Sequence, residues 1–204
     1  MCIIAIKPAA ARLSAENLVN MWMNNPHGAG FMLARDGKLE IVKGLMTFSE
    51  FVDAYEKVQD EKLVIHFRWR THGPTTKRLT HPFLVRDNTG MVHNGVIPRL
   101  PAKRKESDTS IFAKMLQKRD HDPMASLSDY QTRISLMIEI GMSKLVFMNG
   151  QGDVRVVNGK MGHFEDGVWY SNHSYTDHET YDKTFGAIDY DPKNWKVSAK
   201  LLDL

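Results

Sequence analysis

The 204-residue sequence predicts a layered α+β fold, with strands in blocks and helices in pairs. Short runs that alternate apolar and polar residues, such as 63–69, are typical of strands, and apolar residues spaced three and four apart are typical of helices. Turn pairs such as Asp36-Gly37 join neighbouring strands. Because the chain has no internal repeat and no Gly/Ser linker, we expect one domain over 1–204, with a core over about 1–172 and a polar C-terminal extension over 173–204.

The first half of the chain predicts the order β-α-β-β-α-β. Ser14 can cap the first helix, whose Leu18, Met21 and Trp22 fall on one face. Thr47, with Glu50 three residues later, has the spacing of a capping box at the start of the second helix. The predicted strands lie within 2–7, 30–44 and 62–69, and the predicted helices within 14–25 and 47–58.

The second half predicts a hairpin, two helices and further strands. Ser107 opens a helix whose apolar face is predicted to carry Ile111, Phe112, Met115 and Leu116. Gly and Asn turns separate the last strands. The predicted hairpin is 82–95, the second helix 129–140, and the three final strands fall within 144–150, 153–159 and 167–172.

Composition narrows the function classes. One cysteine, Cys2, excludes an intramolecular disulfide and a Cys-rich zinc site. No apolar run of about 18 residues and no leader pattern is present, so we expect a cytosolic protein. A net charge of only +3 gives little indication of nucleic-acid binding. The basic stretch 99–106 is typical of a solvated loop. His173, Asp177 and His178 match no metal-ligand spacing, so neither a metal nor another cofactor is expected.

Three features could carry chemistry. Cys2 becomes the first residue once Met1 is removed, and its own α-amine, with an ordinary pKa near 8, could then take the thiol proton. Asn94 and Gly95 could donate two N–H groups to one oxyanion, although Asn-Gly is also a common turn. Arg68 and Asp108 could pair with the carboxylate and ammonium of an amino acid, although Asp108 also suits a helix start.

These features occur together, in an order that resembles a known family. The chain resembles the glutaminase domain of class II glutamine amidotransferases, which are N-terminal-nucleophile hydrolases. The resemblance implies a four-layer αββα sandwich that hydrolyses the side-chain amide of glutamine through a cysteinyl thioester. The matching segments are MC at 1–2, NPHGAGF at 25–31, HFRWRTHG at 66–73, THPF at 80–83, VHNGVI at 92–97 and SDT at 107–109.

The resemblance also implies a role for each matching residue. Cys2 would be the nucleophile, and Asn94 with Gly95 the oxyanion hole. Arg68 would bind the substrate carboxylate and Asp108 its ammonium group. The pocket wall would be formed by Trp69, Thr71 and His72. His66, His81 and His93 are expected to be structural, hydrogen-bonded residues around the pocket.

Three positions depart from the family pattern. Ile3 stands where the family has glycine, Arg70 where it has a small residue, and His27 where it has an acid. Arg70 is expected either to face solvent or to narrow the substrate range.

The expected partners follow from what the chain lacks. No ammonia-consuming domain is predicted after 172, so either a separate synthase subunit receives the ammonia or the protein is a stand-alone amidase acting on γ-glutamyl amides or peptides. A binding protein that keeps the fold without turnover is a further alternative. No membrane partner is expected.

Overall fold

The computed structural model describes residues 2–100, 105–120 and 122–177. Most of the predicted polar extension, from 178 onward, lies outside the described residues. The strands are β1 (Ile3–Lys7), β2 (Ala29–Arg35), β3 (Lys38–Leu45), β4 (Leu63–Phe67), β5 (Phe83–Arg86), β6 (Thr89–Asn94), β7 (Lys144–Asn149), β8 (Val154–Val157), β9 (His163–Glu165) and β10 (Val168–Tyr170). The α-helices are α1 (Ala15–Asn24), α2 (Phe48–Tyr55), α3 (Asp108–Gln117), α4 (Pro123–Ser126) and α5 (Tyr130–Ile140).

The strands form two antiparallel sheets. The six-stranded sheet has the order β3-β2-β4-β1-β10-β9, and the four-stranded sheet has the order β5-β6-β7-β8. The N-terminal strand β1 is therefore an interior strand, paired with β4 on one side and β10 on the other. Strand β1 is consequently held by hydrogen bonds from both neighbours.

Three apolar clusters separate four layers. The first cluster packs α1 and α2 against one face of the six-stranded sheet and includes Trp22, Phe31 and Phe51. The second packs the four-stranded sheet against α3, α4 and α5. The third lies between the two sheets, where Ile4 and Val64 of one sheet share a cluster with Val146 of the other. The predicted αββα sandwich is confirmed.

Local signals placed the first two helices correctly. The Ser14 hydroxyl caps α1 by accepting from the backbone N–H of Asn17. Thr47 and Glu50 form the predicted capping box of α2. The Asp36-Gly37 turn has positive φ at both residues (51° and 75°), which is the geometry that a two-residue hairpin requires.

Three predictions about elements were wrong in detail. Strand β4 ends at Phe67 rather than 69, so Trp69 and Arg70 lie beyond the sheet. In α3 the buried apolar residues are Phe112, Ala113 and Leu116, whereas Met115 is 37% exposed. The short elements α4 and β9 were not predicted. Within the described ranges, no helix is long and apolar enough to cross a membrane.

The aromatic packing under α2 yields a stability prediction. Phe51 is fully buried and its ring lies 4.6 Å from that of Phe67 and 5.7 Å from that of Tyr55, measured between centroids. We expect Phe51→Ala to lower the free energy of unfolding by about 3–5 kcal/mol, because it leaves a cavity at the centre of the layer. The matched control is Phe164→Ala on a 76% exposed side chain, which should cost below about 1 kcal/mol. Urea denaturation of the two variants checks this, and equal losses would contradict it.

Candidate active site

Four chain segments meet at one edge of the sandwich. Ile3 pairs with Phe67 across β1 and β4, so Cys2, one residue before, lies beside the residues that follow Phe67. The other sheet contributes the end of β6 at Asn94, and α3 begins at Asp108. The site is therefore assembled from both sheets and one helix N-terminus.

A small cavity lies where these segments meet. Its open space is about 20 Å³, enough for one water molecule. All the predicted site residues except Asn94 line it, namely Cys2, Arg68, Trp69, Thr71, His72, Gly95 and Asp108. His81, His93, Ser107 and Thr109 complete the wall.

The thiol of Cys2 is held by the backbone of Trp69. Its sulfur lies 3.3 Å from the Trp69 nitrogen, which donates to it, and 3.3 Å from the Trp69 carbonyl oxygen, which accepts from the thiol. Burial raises the pKa of the Cys2 thiol above its ordinary value, while the Trp69 N–H and the charge of Arg68 act in the opposite direction. Because burial prevails, the thiol needs a base to become a nucleophile.

The guanidinium of Arg68 is buried, with the residue only 3% exposed. It donates to the carbonyl oxygens of His72 and Pro74, each at 3.0 Å. Burial lowers the pKa of Arg68 from its ordinary value, and its main opposing influence is Cys2. The backbone of Arg68 bonds to that of His27 and Gly28, so the NPHGAGF segment supports this arginine.

Asp108 is the acidic group of the cavity and is 4% exposed. Its two carboxylate oxygens accept separately from the backbone N–H groups of Ile97 (2.9 Å) and Thr109 (2.8 Å). These bonds fix the carboxylate at the N-terminus of α3, where a negative charge is favoured. Oδ1 also accepts from the Thr109 hydroxyl at 3.5 Å, whereas Oδ2 retains capacity for a further donor.

Strand β6 ends at Asn94, and Gly95 directly follows it. Gly95 has φ +138°, and a Cβ atom there would collide with Ser143. Glycine is therefore required both by backbone conformation and by space. The Asn94 side chain is 3% exposed, and its Nδ2 donates to the hydroxyl of Ser171 at 2.8 Å.

The three departures from the family pattern have structural explanations. Ile3 is fully buried in the cluster between the helices and the six-stranded sheet. Arg70 is exposed and does not line the cavity. His27 accepts through Nδ1 from the Arg70 backbone N–H at 3.0 Å, and its ring lies 5.0 Å from that of Trp69. His27 thus supports the segment that holds the thiol.

Three buried histidines lie at the cavity, and two of them, His81 and His93, line it. His66 contacts the His93 carbonyl oxygen through Nε2 at 3.0 Å, and His93 Nδ1 lies 2.8 Å from the Thr109 hydroxyl. His81 differs from the expectation, because neither ring nitrogen has a hydrogen-bond partner; its ring lies 3.8 Å from that of His66. Burial lowers the pKa of His66 to about 3 and that of His93 to about 4, and lowers that of His81 well below its ordinary value.

Ser171 and Asn172, which follow β10, bond to residues of the site, and the sequence patterns did not identify them. Ser171 accepts from the Ile4 backbone N–H at 2.8 Å as well as from Asn94. The side-chain amide of Asn172 donates to the Cys2 carbonyl oxygen at 2.8 Å. The only signal in the sequence was a pair of polar residues directly after an apolar strand.

The histidines near the end of the described chain form no metal cluster. Within 2–100, 105–120 and 122–177, no group of three His, Cys, Asp or Glu side chains is placed to hold a metal ion. His173 stacks on His163, with ring centroids 3.8 Å apart. His178 lies outside the described residues.

Comparisons with known proteins identify relatives for part of the chain. No family model matches. The chain is similar to glutamine--fructose-6-phosphate aminotransferase [isomerizing] of Wigglesworthia glossinidia brevipalpis, with 32% identity over 97 residues, covering 42% of this chain and 16% of the relative. The same enzyme of Clostridium acetobutylicum is 29% identical over 97 residues, covering 45% and 16%. The chain thus spans only about a sixth of these relatives' length.

A solved structure shares the fold. It is the glutamine phosphoribosylpyrophosphate amidotransferase from B. subtilis complexed with ADP and GMP, with a TM-score of 0.52 and 18% identity. The match covers 83% of this chain and 41% of that chain. It agrees with the αββα layers described above.

The buried histidines predict how stability depends on pH. Their pKa values are lowered in the folded protein, so on unfolding each takes up a proton below about pH 6.5. Stability is therefore complete above that pH and falls as the pH drops toward about 4, by about 1.4 kcal/mol per pH unit for each histidine. Urea denaturation between pH 7 and 5 measures the slope. His81→Leu should reduce this slope by the contribution of one histidine. An unchanged slope would contradict the lowered pKa of His81.

Proposed function

We propose that this chain hydrolyses the side-chain amide of glutamine to glutamate and ammonia, because its similarity to a glutamine-dependent aminotransferase and its shared fold with a glutamine amidotransferase support a class II glutamine amidotransferase domain of the N-terminal-nucleophile hydrolase type. The observation that carries the proposal is the convergence of a thiol, a guanidinium, a carboxylate and a glycine N–H on one cavity. These groups belong to Cys2, Arg68, Asp108 and Gly95. Glutamine presents a complementary partner for each of them.

The proposed reaction begins once Met1 is removed. The free α-amine of Cys2 takes the thiol proton, which the raised thiol pKa makes necessary. The thiolate attacks the amide carbon, and the resulting oxyanion accepts from Gly95 N–H and the Asn94 amide. The C–N bond breaks, the leaving nitrogen takes the proton from the α-ammonium, and ammonia departs. Water then attacks the thioester and releases glutamate with the thiol restored.

Substrate recognition rests on two opposite charges. Arg68 would bind the α-carboxylate with its planar fork, and Asp108 would bind the α-ammonium through the remaining lone pair of its Oδ2. Glutamine is larger than the open space, so residues 71–74 must move outward to admit it. Arg68 then exchanges the carbonyl oxygens of His72 and Pro74 for the carboxylate. We assign Trp69, Thr71 and His72 to the wall that surrounds the bound side chain.

The fate of the ammonia is a separate part of the proposal. Two relatives are aminotransferases, and the aligned region is a small part of their length. We propose that a synthase subunit, separate from this domain, uses the ammonia. The alternative is an amidase acting alone on γ-glutamyl amides or peptides, whose glutamyl head would contact Arg68 and Asp108 in the same way.

The need for a free Cys2 amine gives a direct test. We expect a form with a cleavable extension fused before Cys2 to hydrolyse glutamine at least about 100-fold more slowly than the form released by cleavage, because the blocked nitrogen cannot act as a base. Ammonia release and intact mass are measured before and after cleavage. Cys2→Ala after the same cleavage should be inactive. Equal rates before and after cleavage would contradict the proposed base, and a released protein without glutaminase activity would favour the γ-glutamyl amidase or a non-catalytic role.

The role of Arg68 can be tested against a nearby arginine. We expect Arg68→Lys to raise KM for glutamine by about 100-fold, because lysine cannot bind a carboxylate with two parallel N–H groups. Arg70→Lys is the matched control on an exposed residue and should change KM by less than about twofold. Steady-state glutaminase kinetics measure both. Equal effects of the two substitutions would argue against a carboxylate site at Arg68.

A further inference from the structure

Ser171 joins two parts of the site that are far apart in sequence. It directly follows β10, is fully buried, and accepts two N–H groups on one hydroxyl oxygen. One donor is the backbone N–H of Ile4 and the other is the side-chain amide of Asn94, both at 2.8 Å. Its own backbone N–H donates to the Ile4 carbonyl oxygen at 2.9 Å.

The Asn94 amide depends on this contact. Its Oδ1 is buried and has no hydrogen-bond partner. Among the described residues, the Ser171 hydroxyl is therefore the hydrogen-bond partner that fixes the plane of the amide. The Nδ2 group carries two hydrogens, so one can remain on Ser171 while the other reaches a substrate oxygen.

The other contact of Ser171 ties the same oxygen to the nucleophile. Ile4 lies two residues after Cys2 on β1, whose pairing with β4 and β10 limits its movement. One hydroxyl thus sets the distance between the strand that carries the thiol and the amide at the end of β6, in the other sheet. An oxyanion hole requires such a fixed distance, because its donors must be in place before charge develops.

We infer that Ser171 is a positioning residue, which holds the Asn94 amide in register with Cys2 for oxyanion stabilisation. This inference rests on the proposed glutaminase function. A serine that only supports folding would make the same contacts, but its removal would act independently of Asn94. Coupling between the two residues therefore separates the two roles.

A double-mutant cycle measures that coupling on the processed protein. We expect Ser171→Ala to lower kcat for glutamine by about 10- to 100-fold, since a misplaced donor loses most of its effect. KM should change by less than about threefold, because the substrate head contacts neither residue. Asn94→Ala should lower kcat by about 100- to 1,000-fold. Adding Ser171→Ala to Asn94→Ala should cost less than about threefold more.

Thr89→Val is the matched control, because it removes a hydroxyl at 2% exposure from the opposite end of β6. The Thr89 hydroxyl lies 3.5 Å from a carboxylate oxygen of Asp122, away from Asn94 and Cys2. This variant should retain kcat within about threefold of the unaltered protein. Urea denaturation of all variants separates rate effects from unfolding. If Ser171→Ala does not fold, Ser171→Cys enters the same cycle, because it fills the space that alanine leaves empty and replaces the hydroxyl with a weaker hydrogen-bonding group.

The outcomes separate this inference from the proposed function. An unaltered, processed protein that releases no ammonia from glutamine would overturn both. If that protein is active, full kcat in Ser171→Ala overturns the inference alone. The inference is also overturned if Ser171→Ala lowers kcat by the same factor in the protein with Asn94 and in the Asn94→Ala variant. Loss of kcat that disappears in the Asn94→Ala background supports it.

Discussion

The packing of the two sheets against each other is the contact on which the site depends. Cys2 and Arg68 directly flank strands of the six-stranded sheet, whereas Asn94 ends a strand of the other sheet and Gly95 follows it. Their relative positions are set by the apolar cluster between the sheets, where side chains of β1, β2 and β4 meet those of β6 and β7. Packed interiors are dense and deform little, so this cluster can hold polar groups of different sheets in a constant arrangement. The catalytic proposal requires that constancy.

The polar groups at the meeting edge are satisfied largely by backbone rather than by one another. Arg68 bonds to two carbonyl oxygens, Asp108 to two N–H groups, and the Cys2 thiol to both polar atoms of Trp69. Burying a charge without such partners would be costly. The arrangement leaves the cation and the carboxylate available for opposite charges on one ligand. It also explains how a charged site can exist in a nearly closed cavity.

Much of this arrangement follows from local sequence, and the remainder depends on contacts between distant segments. The Ser14 cap, the Thr47–Glu50 capping box and the Asp36-Gly37 turn placed elements correctly, because each acts over a few residues. The buried face of α3 was mispredicted because its polar first turn faces the site, which turns Ala113 inward and leaves Met115 exposed. Ser171 could not be recognised, because its two partners lie 167 and 77 residues away in the chain. Periodicity carries no information about such pairs.

Glutamine and larger γ-glutamyl substrates differ in the size of the leaving group, which is ammonia for glutamine and a substituted amine for the others. Both substrates have the same α-carboxylate and α-ammonium, so Arg68 and Asp108 cannot distinguish them. Ammonia is about the size of the single water molecule that the cavity can hold. A substituted amine needs further space, which displacement of residues 71–74 would have to create on the leaving-group side as well as on the head-group side. The small cavity therefore supports the proposal that glutamine, with the smaller leaving group, is the substrate.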